Sequence, residues 1–338
     1  MWFRVLAFLV LSGVPMVAPM VAQMEFNRSP QSETRGGSRS ETCRIAVPLL
    51  GGDESGEVTK ELRRQIGAEV RLPMELIDPE LTGVALRGTG FDGSLNLSLT
   101  EARGLGQSLG ADYFMLGRLI ETRRQQGGDL FGFDSLAGLF LVESRTGRLL
   151  RFVEVNATGS VEAQVHGQLL GKLPGAWSQM VGAIAEAERL AVEAMPVDAG
   201  QDGSPVVFSD LSEIEGGAGT LPVFVRQLKP IYPESAARSE VVATVEVMAL
   251  FQADGTVREV EIKRWGGYGL DESAVSTVRQ LRFRPATQDG RPVSFRGLVR
   301  YNFRRPTPQA IRSSVRSREE LEQLRNSLRD ILKTRPIP

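Results

Sequence analysis

The chain has 338 residues, 41% hydrophobic and 24% charged, which leaves room for two ordinary globular cores and excludes a fibrous or wholly disordered molecule. Its 40 basic residues nearly cancel its 41 acidic ones, so no whole-molecule field steers it to nucleic acid, and no nucleic-acid partner is expected. A single cysteine, Cys43, and a single histidine, His166, exclude an internal disulfide and leave no zinc or catalytic constellation of the usual spacing, so no metal, cofactor or catalytic residue is expected.

The opening residues, "MWFRVLAFLVLSGVPMVAPMVAQ", place Arg4 before an apolar run from Val5 to Leu11, followed by small and helix-breaking residues. This predicts a signal peptide over residues 1–22 and an exported chain. Left uncleaved, the same segment is a marginal anchor, because Pro15 and Pro19 weaken it as a spanning helix. Residues 23–42 are polar and rich in Ser, Arg and Gly, which predicts a disordered spacer.

Residues 43–195 predict a mixed α/β domain. "CRIAVPLL" reads as a short buried strand, and Val58, Leu62, Ile66 and Val70 follow at four-residue spacing as the stripe of an amphipathic helix. "GGDESG" between them is a strand-to-helix loop rather than a catalytic turn. "MELIDP" reads as a second strand and "ELTGVALRGTGFDGSLN" as a glycine-rich connection. Ser98 and Glu101 form a capping box before Ala102, Leu105 and Leu109, and Gly110 ends that helix. "ADYFMLGRLIE" is a strand, and "AGLFLVESRTGRLLRFVEV" is a strand pair around an Arg-Thr-Gly turn. The apolar stretch "LFGFDSLAGLF" is expected to be buried under a neighbouring helix. Val161 to Met195 is helical, with a break or kink at Pro174. His166 reads as a helix residue rather than a ligand. The run "NLSLTEARGLGQSLGADYFMLGRL" resembles the small α/β domains of bacterial envelope proteins such as the N-terminal domain of TolB and the CsgG-like secretion lipoproteins. A ligand-sensing role for this half has no residue constellation behind it.

Residues 196–220, with Pro196, Pro205 and several glycines, predict a linker. A second domain is expected over 221–304. From Val241 to Phe251 every second residue is apolar, "QADGTV" supplies a turn, and "VREVEIKRW" returns as the hairpin partner. Leu270 and Asp271 open a helix with Ala274, Val278 and Leu281 on one stripe. The closing strand, "SFRGLVRYNFR", puts Phe295, Val299, Tyr301 and Phe303 on one face and Arg296, Arg300 and Arg304 on the other. Those arginines either greet an acidic partner or pair across the sheet with Glu246, Glu259 and Glu261. Residues 305–338 form a tail in which Leu321, Leu324, Leu328 and Ile331 predict a short amphipathic helix that docks on the preceding domain.

"KPIYPESAARS", the Asp-Gly hairpin, the Leu-Asp helix start, "LRFRPA" and "DGRPV" occur here in the order in which the TonB C-terminal domain family carries them. Residues 221–304 therefore resemble that family, with Lys229 where its entry motif has glutamine. The resemblance implies a fold of class α+β, in which the N-terminal mixed α/β domain is followed by a small domain with a three-stranded antiparallel sheet and packed helices. It also implies protein recognition rather than catalysis, by addition of an extended partner segment to the edge of the last strand. Arg296, Val299, Arg300 and Tyr301 are the candidate contact residues, and Pro230, Tyr232 and Pro233 form the domain-entry motif. The implied partners are envelope proteins, including TonB-dependent outer-membrane transporters, and the implied location is the periplasm of a Gram-negative-type bacterium. The alternative is a complete energy transducer anchored in the inner membrane, which requires the N-terminal segment to stay uncleaved and adds motor proteins as partners.

Overall fold

The computed structural model describes residues 42–127, 130–193, 207–208, 219–225 and 228–305. The signal-peptide, spacer and tail-helix expectations lie outside these residues, apart from the spacer's last residue, Thr42, and the tail's first, Arg305.

The first sheet follows from the buried strand β1 (Cys43–Ala46) and the amphipathic helix α1 (Glu57–Gly67). Val58, Leu62 and Ile66 are buried as their spacing predicts, but the chain leaves the helix after Gly67 and Val70 is 93% exposed. In the "GGDESG" loop, buried Asp53 accepts hydrogen bonds from both the Thr59 backbone N–H (2.7 Å) and its hydroxyl (2.6 Å), fixing the entry to α1. Strand β2 (Met74–Leu76) leads into α2 (Pro79–Thr89). The first half of the expected glycine-rich connection is therefore helical. Asp78 caps it by accepting from the Glu80 and Leu81 N–H groups, and Pro79 presets the first turn, which together outweigh the glycines inside. Helix α3 (Leu99–Leu109) has the predicted capping box at Ser98 and the predicted left-handed glycine at Gly110.

Strands β3 (Tyr113–Gly127), β4 (Leu130–Glu143) and β5 (Leu149–Gly159) form an antiparallel meander, and β1 lies parallel between β2 and β3, giving the order β2-β1-β3-β4-β5. "LFGFDSLAGLF" is thus the interior strand β4, buried on both faces from Ala137 rather than merely covered by a helix. Helix α4 (Glu162–Glu193) runs continuously through Pro174. Its buried residues on both sides of the proline, including Leu169, Leu173, Trp177 and Ile184, pack with α1 on one face of the sheet, and that burial offsets the lost hydrogen bond.

The second sheet is built by β8 (Ala243–Phe251), β9 (Val257–Arg264) and the long β12 (Arg291–Phe303), an antiparallel three-stranded core. Short strands add to it: β11 (Ala286–Gln288) forms a hairpin with β12, and β6 (Val207–Phe208) runs parallel to β12. A separate pair joins β7 (Val223–Phe224) to β10 (Phe283–Arg284). Helices α5 (Glu234–Arg238) and α6 (Leu270–Arg279) accompany the sheet, and α6 packs on β8, β9 and β12. One hydrophobic cluster unites Phe114, Phe140 and Val142 of the first sheet with Val245, Val247 and Phe295 of the second, and with Trp265 just after β9 and Leu270 at the start of α6. Both sheets belong to one compact unit. Among the described residues no helix is long and apolar enough to cross a membrane.

Candidate functional site

The alternation read from the sequence decides what β12 shows to solvent. Phe295 and Phe303 are buried and Val299 and Tyr301 half-buried against the shared core, while Arg296, Leu298, Arg300 and Asn302 are exposed on the opposite face. Burial raises the Tyr301 hydroxyl above the usual phenol range. Two of the three arginines pair across the sheet: Arg296 with Glu259 at 2.5 Å, and Arg300 Nε with Glu246 at 2.8 Å. Glu261 instead meets Lys263 on its own strand, at 2.7 Å. Such exposed pairs contribute little stability, so the stripe keeps its capacity to meet another charge.

The edges of the sheets differ in ways that bear on docking. β9, the edge strand beside β8, is bridged at Arg264 by Ser98 and carries two register irregularities, at Glu246/Val247 and Met248/Leu250 in the β8 register, and its Glu259 sits at φ 47°. Bulges of this kind blunt an edge against further pairing. In the first sheet β2 has only three residues, and β5 carries α4 against it and a register shift in its ladder at Leu141/Val142. β12 is different. It pairs with β8 without a break from Phe295 to Phe303. β11 pairs with its first residues, Arg291 to Val293; on the side away from β8, β6 covers Ser294 and Phe295, and among the described residues nothing pairs with that outer side from Arg296 onward. Arg296, Val299, Arg300 and Tyr301 all lie on this open, regular stretch.

The entry motif sits at the far end of the same strand. Tyr232 Oη donates to the Val241 carbonyl at 2.6 Å, with the Ala236 carbonyl at 3.1 Å, and its ring lies 6.4 Å from that of Phe303. Pro233 is the N-cap residue of α5, and the Ile231 carbonyl next to Pro230 accepts from Ser273 Oγ at 2.6 Å. These contacts pin the chain's entry to β8 and α6.

Sequence reasoning passed over the segment that joins the two sheets, "RWGGYGLD", between β9 and α6. Trp265 Nε1 donates to the Gly147 carbonyl at 3.1 Å in the β4–β5 turn, and its backbone N–H donates to Leu97 at 3.1 Å. Tyr268, at φ 53° and 3% exposed, lays its ring 4.5 Å from Phe152 and 5.6 Å from Phe140. A Cβ on Gly138 would lie 2.5 Å from its hydroxyl, and a Cβ on Gly267 2.3 Å from Phe140 Cε1, so both glycines are dictated by this contact. Buried Asp271 accepts from the Gly266 and Gly267 N–H groups, both at 2.8 Å. Its removal from water pushes the carboxyl up to about 7, despite those two donors. Asn96 completes the seam: its amide donates to the Thr244 (2.8 Å) and Trp265 (2.7 Å) carbonyls and accepts from the Thr244 N–H (3.0 Å). The signal available in the sequence was the aromatic-Gly-Gly-aromatic-Gly run itself, since two large apolar rings flanked by glycines mark a backbone pressed against another surface.

His166 also has a definite environment. Nε2 lies 3.0 Å from Glu57 and Nδ1 3.2 Å from Glu121, tying α4 to α1 and β3. Partial burial opposes its charge, but the hydrogen bonds and charges of Glu121 and Glu57 outweigh this and raise its pKa.

Residues 229–304 match the family described as Gram-negative bacterial TonB protein C-terminal. Among solved structures, the Pseudomonas aeruginosa TonB C-terminal domain is similar at 18% identity, covering 25% of this chain and 88% of its own, with a TM-score of 0.23. The protein CT253 of Chlamydia trachomatis is similar at 12% identity over 41% of this chain and 98% of its own, with a TM-score of 0.32. The lipoprotein GNA1162 of Neisseria meningitidis is similar at 16% identity over 41% and 98%, with a TM-score of 0.30. No curated protein matches the chain.

Proposed function

We propose that the protein is an exported, non-enzymatic component of the cell envelope that binds partner proteins by strand addition to the outer edge of β12. The observation that carries this reading is the unbroken β12–β8 register from Phe295 to Phe303 together with the open outer side from Arg296 onward. An incoming extended segment finds main-chain donors and acceptors there, with Val299 and Tyr301 toward its apolar face and Arg296 and Arg300 toward its polar one. The family match over residues 229–304 supports partner recognition in TonB-type transport, with outer-membrane transporters as the class of partner. Tyr232, Pro230 and Pro233 serve the fold rather than the contact.

A photo-reactive side chain in place of Arg300 tests the site in native envelopes. Crosslinks to an extended segment of another envelope protein, abolished by a proline at Tyr301 in a variant that still melts cooperatively, are the expected result. A partner held equally well by that folded variant would sink the proposal. A second reading, an anchored energy transducer, is favoured by Arg4 and the apolar run that follows it. The N-terminal sequence of the native protein separates the two: a start near Gln23 supports a periplasmic adaptor, and an intact Met1 in the inner membrane supports the transducer.

A further inference from the structure

The outer side of β12 is not wholly vacant, and its occupant belongs to the same chain. Val207 pairs with Ser294 and Phe208 with Phe295, parallel to β12 and on the side away from β8. Phe295 is therefore flanked on both sides, by Phe208 and by Phe251 of β8. Among the described residues, β6 stands in the chain between helix α4 of the first sheet and the bridge of Thr220 to Thr287, with backbone bonds of 2.8 and 3.0 Å. β6 is thus not the continuation of a neighbouring strand. It is an extended segment placed on the edge from a connection, which is strand addition within one molecule.

We propose that Val207–Phe208 is an in-cis occupant of the docking edge, which a partner strand must displace to pair below Arg296, leaving the stretch above it as the place of entry. Chain length sets this division. Twelve residue steps separate Phe208 from Thr220, which is roughly 40 Å at full extension. To run along β12 as far as Phe303 and return to the level of Thr287 would take roughly 60 Å at strand rise, so the connection cannot shield the far half of the edge. The exposed side chains there, Arg300 and Asn302, stay available whatever the connection does, and Leu298, 49% exposed, lies at the border. What the segment competes with rests on the strand-addition reading above. Its presence on the edge does not.

The test uses the intact chain and its V207P/F208P variant, with a synthetic peptide of residues 205–209 (Pro-Val-Val-Phe-Ser) as the probe. Among the amides from Ser294 to Arg296, which face the two edges alternately, those on the β6 side should exchange faster in the variant while those on the β8 side hold. Because a tethered segment acts at millimolar effective concentration, the peptide should shift the resonances of Ser294 to Leu298 in the variant at a concentration at least about tenfold below that needed in the wild type. Equal response of both proteins, unchanged exchange in the variant, or peptide shifts on β9 instead of β12 would each overturn the assignment. If the proline variant does not fold, V207G/F208G, which keeps the backbone donors but weakens the strand, is read in the same way. A cis occupant confirmed in a protein with no strand-adding partner would leave this inference standing and remove the proposed function.

Discussion

Asp271 holds the loop on which both sheets depend, and its chemistry makes the seam sensitive to pH. Burial sets its folded pKa at about 7, above the ordinary 3.8, so the stabilisation of the protonated acid is full below about pH 3.8 and is lost as pH rises through 7. Urea unfolding of the wild type relative to Asp271→Asn should therefore show a loss of about 2–3 kcal/mol between pH 5 and pH 8. A flat difference would mean that the two backbone donors hold the carboxylate ionised throughout. The glycines give a sharper contrast. Gly267 has φ 67° and no room for a Cβ against Phe140, whereas Gly290 has φ 75° and open space around it. Gly267→Ala should cost about 3 kcal/mol or more and Gly290→Ala about 1 kcal/mol, measured by denaturant midpoints. Tyr268, held at φ 53° without glycine's freedom, shows how firmly its aromatic neighbours fix that backbone.

Among the elements, those with a strong local period were legible and those decided by context were not. The Ser98 capping box, the alternation of β8 and the two faces of β12 follow from residues that interact within a turn or across one strand. Helix α2 was missed because the Asp78 cap and Pro79 act against a glycine-rich composition, and of the break or kink expected in α4 at Pro174 the break does not occur, because the packing that holds the helix together is invisible to a local rule. Pro174 is exposed in the interior of that helix, so Pro174→Ala restores a hydrogen bond without losing buried surface. It should raise stability by about 1–3 kcal/mol, seen as a higher Tm. The candidate edge was legible as a strand with an arginine stripe. Its partial occupation by β6 was not, because a two-residue pairing across more than eighty positions leaves no periodic trace.

At the scale of the whole molecule, the two sheets share a core through Trp265, Tyr268, Phe140 and Phe152, with Asn96 and the Trp265 indole satisfied across the seam. Residues 219–338 expressed alone would present those rings to water. They should melt at least about 5 °C below the intact chain, whose far- and near-ultraviolet circular dichroism should report one coincident transition. Independent transitions in the intact chain would show that the seam contributes little. The nine-pair ladder between β12 and β8 has a mechanical consequence as well. A segment lying along β12 and pulled along its own length loads that ladder in shear, so its hydrogen bonds bear the force together, and the aromatic seam passes it to the first sheet. Force applied crosswise at the Phe303 end of β12 peels the same strand one pair at a time. The molecule therefore has a stiff direction and a soft one, and the open edge lies along the stiff one.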